Sequence, residues 1–476
     1  MVQRRSRFPL FALLFLVLVV VGGIAYLGWR QSVPAARAVG TPPRFIGQKT
    51  PITIDVEAAR GQVARAEVRV VQAGKSTVVA RQETPAGKRA TLNATVEGAS
   101  LGLREGEATV EVWARDDFWR PLRHDDRLAG RFPVTVDLTP PKLEILGATP
   151  YVAPGGSGLV VFRAEGATSA DVRVGAASFP SFPYGPPERG ARIAFLALPW
   201  DFTPGTALTV AAQDEAGNAA TRGIPGEVLP RRFPHDRIEV KDAFLQIKVP
   251  ELLPQRPANA PLIDGFLIIN RDQRKQAEEE KRRVGAKSAD HGLWEGPFVQ
   301  PRNTKVFANF AESRSYVYNG REVDTQVHFG YDLASTKNSA VPAANKGVVV
   351  FAGPLTIYGN TVILDHGLGL QTLYAHLSSI GVNVGDSVDK GKELGRTGTT
   401  GLAIGDHLHY EVLVQGVSVT PLEWWDAKWI RDRVAKPLAQ ANLPTLGGMD
   451  AGAATAAAAT DEAPKPVPPR RTRRSR

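Results

Sequence analysis

Inside a lipid bilayer no water is available to satisfy backbone N–H and C=O groups, so a segment that crosses one has to be helical. This chain carries one segment suited to that. From Phe8 to Trp29 it is almost uniformly apolar over about 22 residues, against the roughly 20 that a span needs. Arg4, Arg5 and Arg7 precede the run and Arg30 follows it. Arginines on the N-terminal side predict a cytoplasmic stub and helix over 1–30, with everything after Arg30 on the other side of the membrane. Ala36-Arg37-Ala38 is a small-residue cleavage site, but the run exceeds most signal-peptide cores, so an uncleaved single-pass anchor is expected.

Beyond a short linker over 31–40 the pattern changes to strands. Ile52-Thr53-Ile54-Asp55-Val56, Ala66-Glu67-Val68-Arg69-Val70 and Thr109-Val110-Glu111-Val112-Trp113 alternate apolar and polar residues with period two. A second block opens at Thr139-Pro140-Pro141 and ends at Asp214-Glu215-Ala216-Gly217-Asn218. Short strands with turn signals between them predict two β-sandwich modules, over 41–138 and 139–229, which resemble bacterial immunoglobulin-like modules and would serve as a spacer. With 0 cysteines there is no disulfide framework and no thiolate metal site, so histidine and carboxylate must carry any metal. The net charge of +10 comes mostly from arginines at the two ends, which leaves no basic face that would call for nucleic acid.

Five of the 8 histidines fall between residues 328 and 409. His407 and His409 lie one strand-step apart in Asp406-His407-Leu408-His409-Tyr410-Glu411-Val412, so they share a face, with one suited to bind a metal and the other to reach its water. His328 and Asp332 flank Gly330, which argues for a turn at a strand end that lets both converge on one ion. His376 sits in the strand Gln371–Leu377 and by alternation shares a face with Tyr374. Imidazole and carboxylate suit zinc, and a catalytic zinc takes three protein ligands and keeps a fourth position for water. Glu411, in phase with the histidine pair, either orients one of them or ends the face in solvent. His366 either supports a ligand or caps a turn, and Tyr358 is either a substrate contact or an exposed loop residue.

The ordered motifs His328-Phe329-Gly330-Tyr331-Asp332, Tyr358-Gly359-Asn360, Leu373-Tyr374-Ala375-His376-Leu377, Gly385-Asp386-Ser387-Val388, Gly395-Arg396-Thr397-Gly398 and His407-Leu408-His409 resemble the lysostaphin/LytM-type zinc metallopeptidases. The resemblance covers about 300–430 and implies a barrel-sandwich-like antiparallel β metallopeptidase domain, placed here at 298–435. It further implies that His328, Asp332 and His409 bind one Zn2+ and that His376 and His407 are catalytic. His407 is expected as the base and His376 as the group that orients water or steadies the oxyanion, an order that the sequence does not fix. The implied activity is hydrolysis of peptide cross-links in peptidoglycan during cell-wall remodelling. A non-catalytic regulator that activates another wall hydrolase is the alternative, and the intact set of five argues against it.

Residues 230–297 are expected to be a linker with a charged, solvated helix over Arg271–Val284, and 436–476 an Ala-, Pro- and Arg-rich disordered tail. The fold expectation is therefore a mainly β protein with one transmembrane helix. It would be held in the inner membrane by that helix, with the catalytic domain in the periplasm facing peptidoglycan and within reach of a cell-envelope protein partner.

Overall fold

The computed structural model describes residues 8–446 apart from Thr84, Ala86, Arg123, His124 and Ala258. Arg4, Arg5 and Arg7, His124 and residues 447–476 lie outside the described residues, while the first part of the expected disordered tail is instead folded, with the helix Lys436–Gln440 and buried Pro437, Leu438, Leu443 and Leu446. The architecture is mainly β. The chain divides into two compact units, one running to Pro141 and completed by Gly166–Thr168 and Gln213–Ala219, the other formed by Lys142–Glu165, Ser169–Ala212 and the chain from Ala220 onward.

The first unit opens with the helix Phe8–Ser32, whose Leu10–Ser32 stretch is long and apolar enough to cross a membrane. A three-stranded sheet (Arg37–Val39, Thr50–Glu57, Arg89–Val96) and a five-stranded sheet that includes Val63–Gln72, Gly106–Asp116 and Arg127–Val136 follow. The period-two pattern dictates their faces: Ile52, Ile54 and Val56 are buried with Val68, Val70, Val110 and Val112, while Pro51 and Thr53 stay exposed. The Asp214–Asn218 turn belongs to this unit, not to the second module as its position in sequence implied. Asn218 Oδ1 accepts from Gln48 N at 2.6 Å, and its Nδ2 donates to Asp137 O at 2.8 Å and to Asp214 Oδ2 at 2.9 Å.

In the second unit two four-stranded sheets come first, one centred on Ser157–Glu165 and Ala191–Ala197, the other on Ser169–Val174 and Leu208–Gln213. An eight-stranded antiparallel sheet follows, in the order Lys305–Ala308, Tyr331–Ala334, Leu408–Val414, Leu370–Leu377, Asn360–Asp365, Gly347–Pro354, Ser387–Val388, with Val417–Val419 paired to Leu408–Val414. Its central strands Leu370–Leu377 and Leu408–Val414 are buried along their whole length, so both faces are covered.

What packs on this sheet corrects the expectation of a solvated linker over 230–297. Helices Asp242–Leu252, Leu262–Ile268 and Arg274–Gly285 bring Leu245, Val249, Phe266, Ala277 and Val284 into one core with Ile363, Leu373 and Leu413. The strand His235–Glu239 pairs in parallel with Glu312–Tyr318. Helical charge spacing looked solvated because its few buried positions, Ala277, Lys281, Val284 and Gly285, are short or charged. Gly285 lies so close to Gly416 that a Cβ there would meet its N at 2.4 Å and its Cα at 2.7 Å. Gly285→Ala is expected to push the helix off the sheet and destabilise the unit by about 1–3 kcal/mol, read as a lowered denaturation midpoint.

Candidate metal centre

Three neighbouring strands set the site. Asp332 in Tyr331–Ala334 pairs with His409 in Leu408–Val414, and His409 pairs with Ala375 in Leu370–Leu377. The strand Arg321–His328 ends at His328, and the chain turns through Phe329-Gly330 before Tyr331–Ala334 begins, as the glycine implied. Only glycine fits the turn: a Cβ on Gly330 would lie 2.6 Å from Tyr410 O and 2.7 Å from His409 Nε2. His328, Asp332 and His409 thereby meet in a buried cluster with the spacing to hold a metal ion.

The hydrogen-bond partners decide what these groups can bind. His328 Nδ1 donates to Asn309 O at 2.8 Å, and His409 Nε2 donates to the Glu411 carboxylate at 2.9 Å. In the neutral imidazoles the lone pairs are then on His328 Nε2 and His409 Nδ1, which face each other at 3.0 Å. Asp332 Oδ1 lies 3.0 Å from the first and 2.9 Å from the second. Three acceptors converge with no donor among them, an arrangement that a cation satisfies and hydrogen bonds do not. Burial alone would raise the Asp332 carboxyl, but the facing imidazoles hold it well below the usual range. Burial, and then the Arg314 guanidinium, pushes His328 down to about 4, so it stays neutral near pH 7 and able to bind a cation.

The other two histidines face the same place. His376 Nδ1 donates to Thr400 O at 2.8 Å and His407 Nδ1 donates to Gly405 O at 2.6 Å, which leaves both Nε2 atoms free of backbone. Their rings are 4.8 Å apart, and His407 Nε2 is 3.5 Å from Asp332 Oδ1. His376 does not share a face with Tyr374, contrary to simple alternation. Its φ is +60°, in the left-handed region, and the strand pairing shifts beside it, so the ring swings to the face of His407 and His409 while Tyr374 packs on Tyr410. Strain of that kind at a non-glycine residue gathers at functional sites.

Glu411 orients His409, the first of its two open readings. Tyr358 is not an exposed loop residue: it is buried, its hydroxyl is bonded to Glu278 at 2.9 Å and Lys281 at 3.0 Å, and its ring lies 5.2 Å from that of His409 on the wall of the cavity that reaches the cluster. The His366 ring neither supports one of the three clustered side chains nor caps its own turn. It is fully buried between Lys346 O at 2.7 Å and Thr372 Oγ1 at 2.8 Å, against the ring of Phe298.

Two charged residues central to the site carried no sequence signal. Arg314 reaches Asp332 Oδ2 at 3.3 Å and Glu312 Oε1 at 3.1 Å. Lys281, from the helix Arg274–Gly285, has no exposed surface and donates to Glu411 Oε2 at 2.8 Å, with Glu278 2.8 Å and Ser418 Oγ 3.1 Å away. Burial would lower this ammonium, yet the two carboxylates raise it above its ordinary value, so it is a fixed charge. A cavity of about 640 Å3 reaches the cluster and is walled by Phe244, Phe266, Phe307, Tyr316, Glu239 and Arg274 among others.

Residues 326–421 match the description Peptidase family M23, so this segment is an M23 peptidase domain. The chain is 40% identical over 97 residues to the DD-carboxypeptidase/endopeptidase Mpg of Neisseria meningitidis serogroup B, covering 20% of this chain and 22% of that one. It is 38% identical over 96 residues to the peptidoglycan DD-endopeptidase ShyA of Vibrio cholerae serotype O1, with the same 20% and 22% coverage. It is 33% identical over 125 residues to the murein hydrolase activator NlpD of Salmonella dublin, covering 26% and 30%. The likeness thus spans less than a third of each of these relatives.

Two outcomes follow. Lys281→Met removes the cation that holds Glu411 and should weaken metal affinity about 10–100-fold, measured by competition with a chromophoric chelator. His366 takes up a proton in the unfolded chain near pH 6.5 but, because it is buried, only at about 4 when folded. Stability therefore falls as pH drops from about 6.5 towards 4, by up to roughly 3 kcal/mol from this residue. His366→Asn should make that acid limb shallower in denaturant titrations run at successive pH values.

Proposed function

We propose that this chain is a zinc-dependent endopeptidase that hydrolyses peptide cross-links of peptidoglycan. The observation that carries the reading is the convergence of His328 Nε2, His409 Nδ1 and Asp332 Oδ1 without a donor, flanked by two further imidazoles that present Nε2. Two nitrogens and one carboxylate oxygen are a ligand set that zinc accepts while keeping one position open. When bound, the ion supplies Lewis acidity towards a scissile carbonyl and brings a water's pKa near neutrality.

The chain's own residues do the rest. His407 Nε2 is placed to accept a proton from the attacking water and to return it to the leaving amine, while His376, neutral with its proton on Nδ1, is placed to accept from that water through Nε2 and orient it. The peptide C–N bond breaks, and the products are a carboxylate and an amine. Arg314, 3.3 Å from Asp332 Oδ2, keeps that carboxylate aimed. The cavity brings apolar walls together with Asp236, Glu239, Lys241 and Arg274, charges of both signs that suit a stem peptide with free amine and carboxylate groups. That chemistry favours a D-Ala to diaminopimelate cross-link over a glycine bridge.

In this reading Phe8–Ser32 is the inner-membrane anchor, the modules over 41–138 and 139–229 raise the enzyme above the bilayer, and the M23 domain works in the periplasm. The similarity to an activator supports a second reading, in which the same domain regulates another wall hydrolase without cutting. One experiment separates them. The full-length protein in detergent is incubated with purified sacculi, and the released muropeptides are identified by mass spectrometry. Cross-linked dimers should fall and monomers rise, with activity lost on chelation and restored by Zn2+. His409→Ala should lose both bound metal and hydrolysis. His407→Ala should keep the metal and lose about 10²–10⁴-fold in rate. No release of monomers by metal-loaded protein would leave only the regulatory reading.

A further inference from the structure

We infer that the loop over 117–122 of the first unit is a membrane-seating element, with Trp119 and Leu122 set in the headgroup boundary of the bilayer that the helix crosses. The inference rests on the anchor reading above. The depth of the loop is fixed by the helix itself. From Phe8 to Trp29 the helix rises about 33 Å, the thickness of a hydrocarbon core, so Arg30 stands at the interface. Arg30 Nε donates to Trp119 O at 2.9 Å, and Leu122 N donates to Gln31 Oε1 at 3.2 Å. The loop is therefore level with the end of the apolar run.

The junction is rigid. Arg120 is buried, donates to Val33 O at 3.1 Å and Pro34 O at 2.7 Å, and is paired with Asp116 at 2.6 Å. Asp116 in turn accepts from Ala36 N at 3.1 Å. The chain leaving the helix is thus gripped by the same loop, and the first sandwich cannot swivel away from the membrane on a free tether. The Arg30 guanidinium carbon lies 4.3 Å from the Phe118 ring centre, and Trp29 meets Phe118 edge-on at 6.3 Å.

Against this ordered base, Trp119 is 49% and Leu122 81% exposed. Single exposed apolar side chains are ordinary on a protein surface. Trp119 shares Arg30 with Tyr26, its ring centre 5.2 Å from that guanidinium carbon and the Tyr26 hydroxyl 2.8 Å from its Nη1; Tyr26 and Trp29 are exposed on the helix, and the Arg60 guanidinium carbon is 5.6 Å from the Trp29 ring centre. Tryptophan with arginine at one depth is the side-chain pair that the interface accepts, the indole at headgroup level and the cation at lipid phosphate. The partner is the lipid surface, approached as an extension of the anchor.

The chain has 0 cysteines, so single reporters can be introduced without background. Leu122→Cys, Leu18→Cys and Ser100→Cys would each carry an environment-sensitive fluorophore on the full chain in vesicles of phosphatidylethanolamine and phosphatidylglycerol. Ser100 lies in the turn that precedes the strand Gly106–Asp116, at the opposite end from the loop and roughly 35 Å away along that strand. The expected result is strong quenching of the Leu122 reporter by lipids spin-labelled near the headgroup and several-fold weaker quenching by aqueous iodide. The Ser100 reporter should show the reverse, and the Leu18 reporter should respond to lipids spin-labelled deep in the acyl chains. If iodide quenches the Leu122 reporter as strongly as the Ser100 reporter while Leu18 stays in lipid, the seat is wrong and the anchor stands. Protection of the Leu122 reporter from both quenchers would mean a protein covers the loop, which also overturns the proposal. A Leu18 reporter that no lipid quenches would refute the anchor, and the seat with it.

Discussion

Two imidazole lone pairs and a carboxylate oxygen held within 3.0 Å of one another repel, and in a buried site no solvent relieves them. The rest of the second unit can be understood as the means of keeping them there. Each outer atom of the cluster has a partner that allows one orientation only: Asn309 O for His328, Glu411 for His409, Arg314 for the second oxygen of Asp332. Without these partners the rings could flip or the aspartate turn away, and the convergence would be lost. The cost of burying Glu411 is offset in the same way, by an ammonium with no exposed surface.

The backbone makes that convergence reachable. A fully buried pair of central strands gives Asp332, His409 and Ala375 a common row across three neighbours. Two departures from regular geometry bring in the residues the row cannot supply. The turn at Gly330 folds His328 back over Asp332, and the left-handed backbone at His376 moves its ring to the face that the strand period denies it. A regular sheet alone would leave both side chains elsewhere. The irregularities are as much a part of the site as the ligands.

This explains which parts of the molecule were legible in the sequence. The histidine–aspartate set was, because its residue types are scarce in this chain and the strand period and the glycine between His328 and Asp332 each carry geometric meaning. The first sandwich was legible because its alternation is clean. The face of His376 was not, since nothing in Ala375-His376-Leu377 announces a positive φ. The role of the Asp214–Asn218 turn was hidden because its partners, Gln48 and Asp137, are far away in sequence. Lys281 was hidden by its company. In Glu278-Glu279-Glu280-Lys281-Arg282-Arg283 a buried cation cannot be told from its solvated neighbours, because what buries it lies on Glu411 and Ser418.

The position of that lysine bears on where the working unit begins. The M23 match runs over 326–421 and contains His328, Asp332 and His409 and both further histidines. It does not contain their supports: Asn309, Arg314 and Lys281 all precede it. A fragment that started at the family boundary would keep the three clustered side chains, yet it would leave Glu411 buried without a cation and Asp332 without its guanidinium. It would also bare the sheet face formed by Leu373 and Leu413, which the helices over 242–285 cover. Removing one partner of a buried charge pair typically costs 3–5 kcal/mol, a large fraction of the stability of an ordinary domain. The physical unit that holds the cluster is therefore longer than the matched segment. It extends back at least to the strand His235–Glu239, which flanks Glu312–Tyr318, the strand that carries Arg314, on the side opposite Arg321–His328.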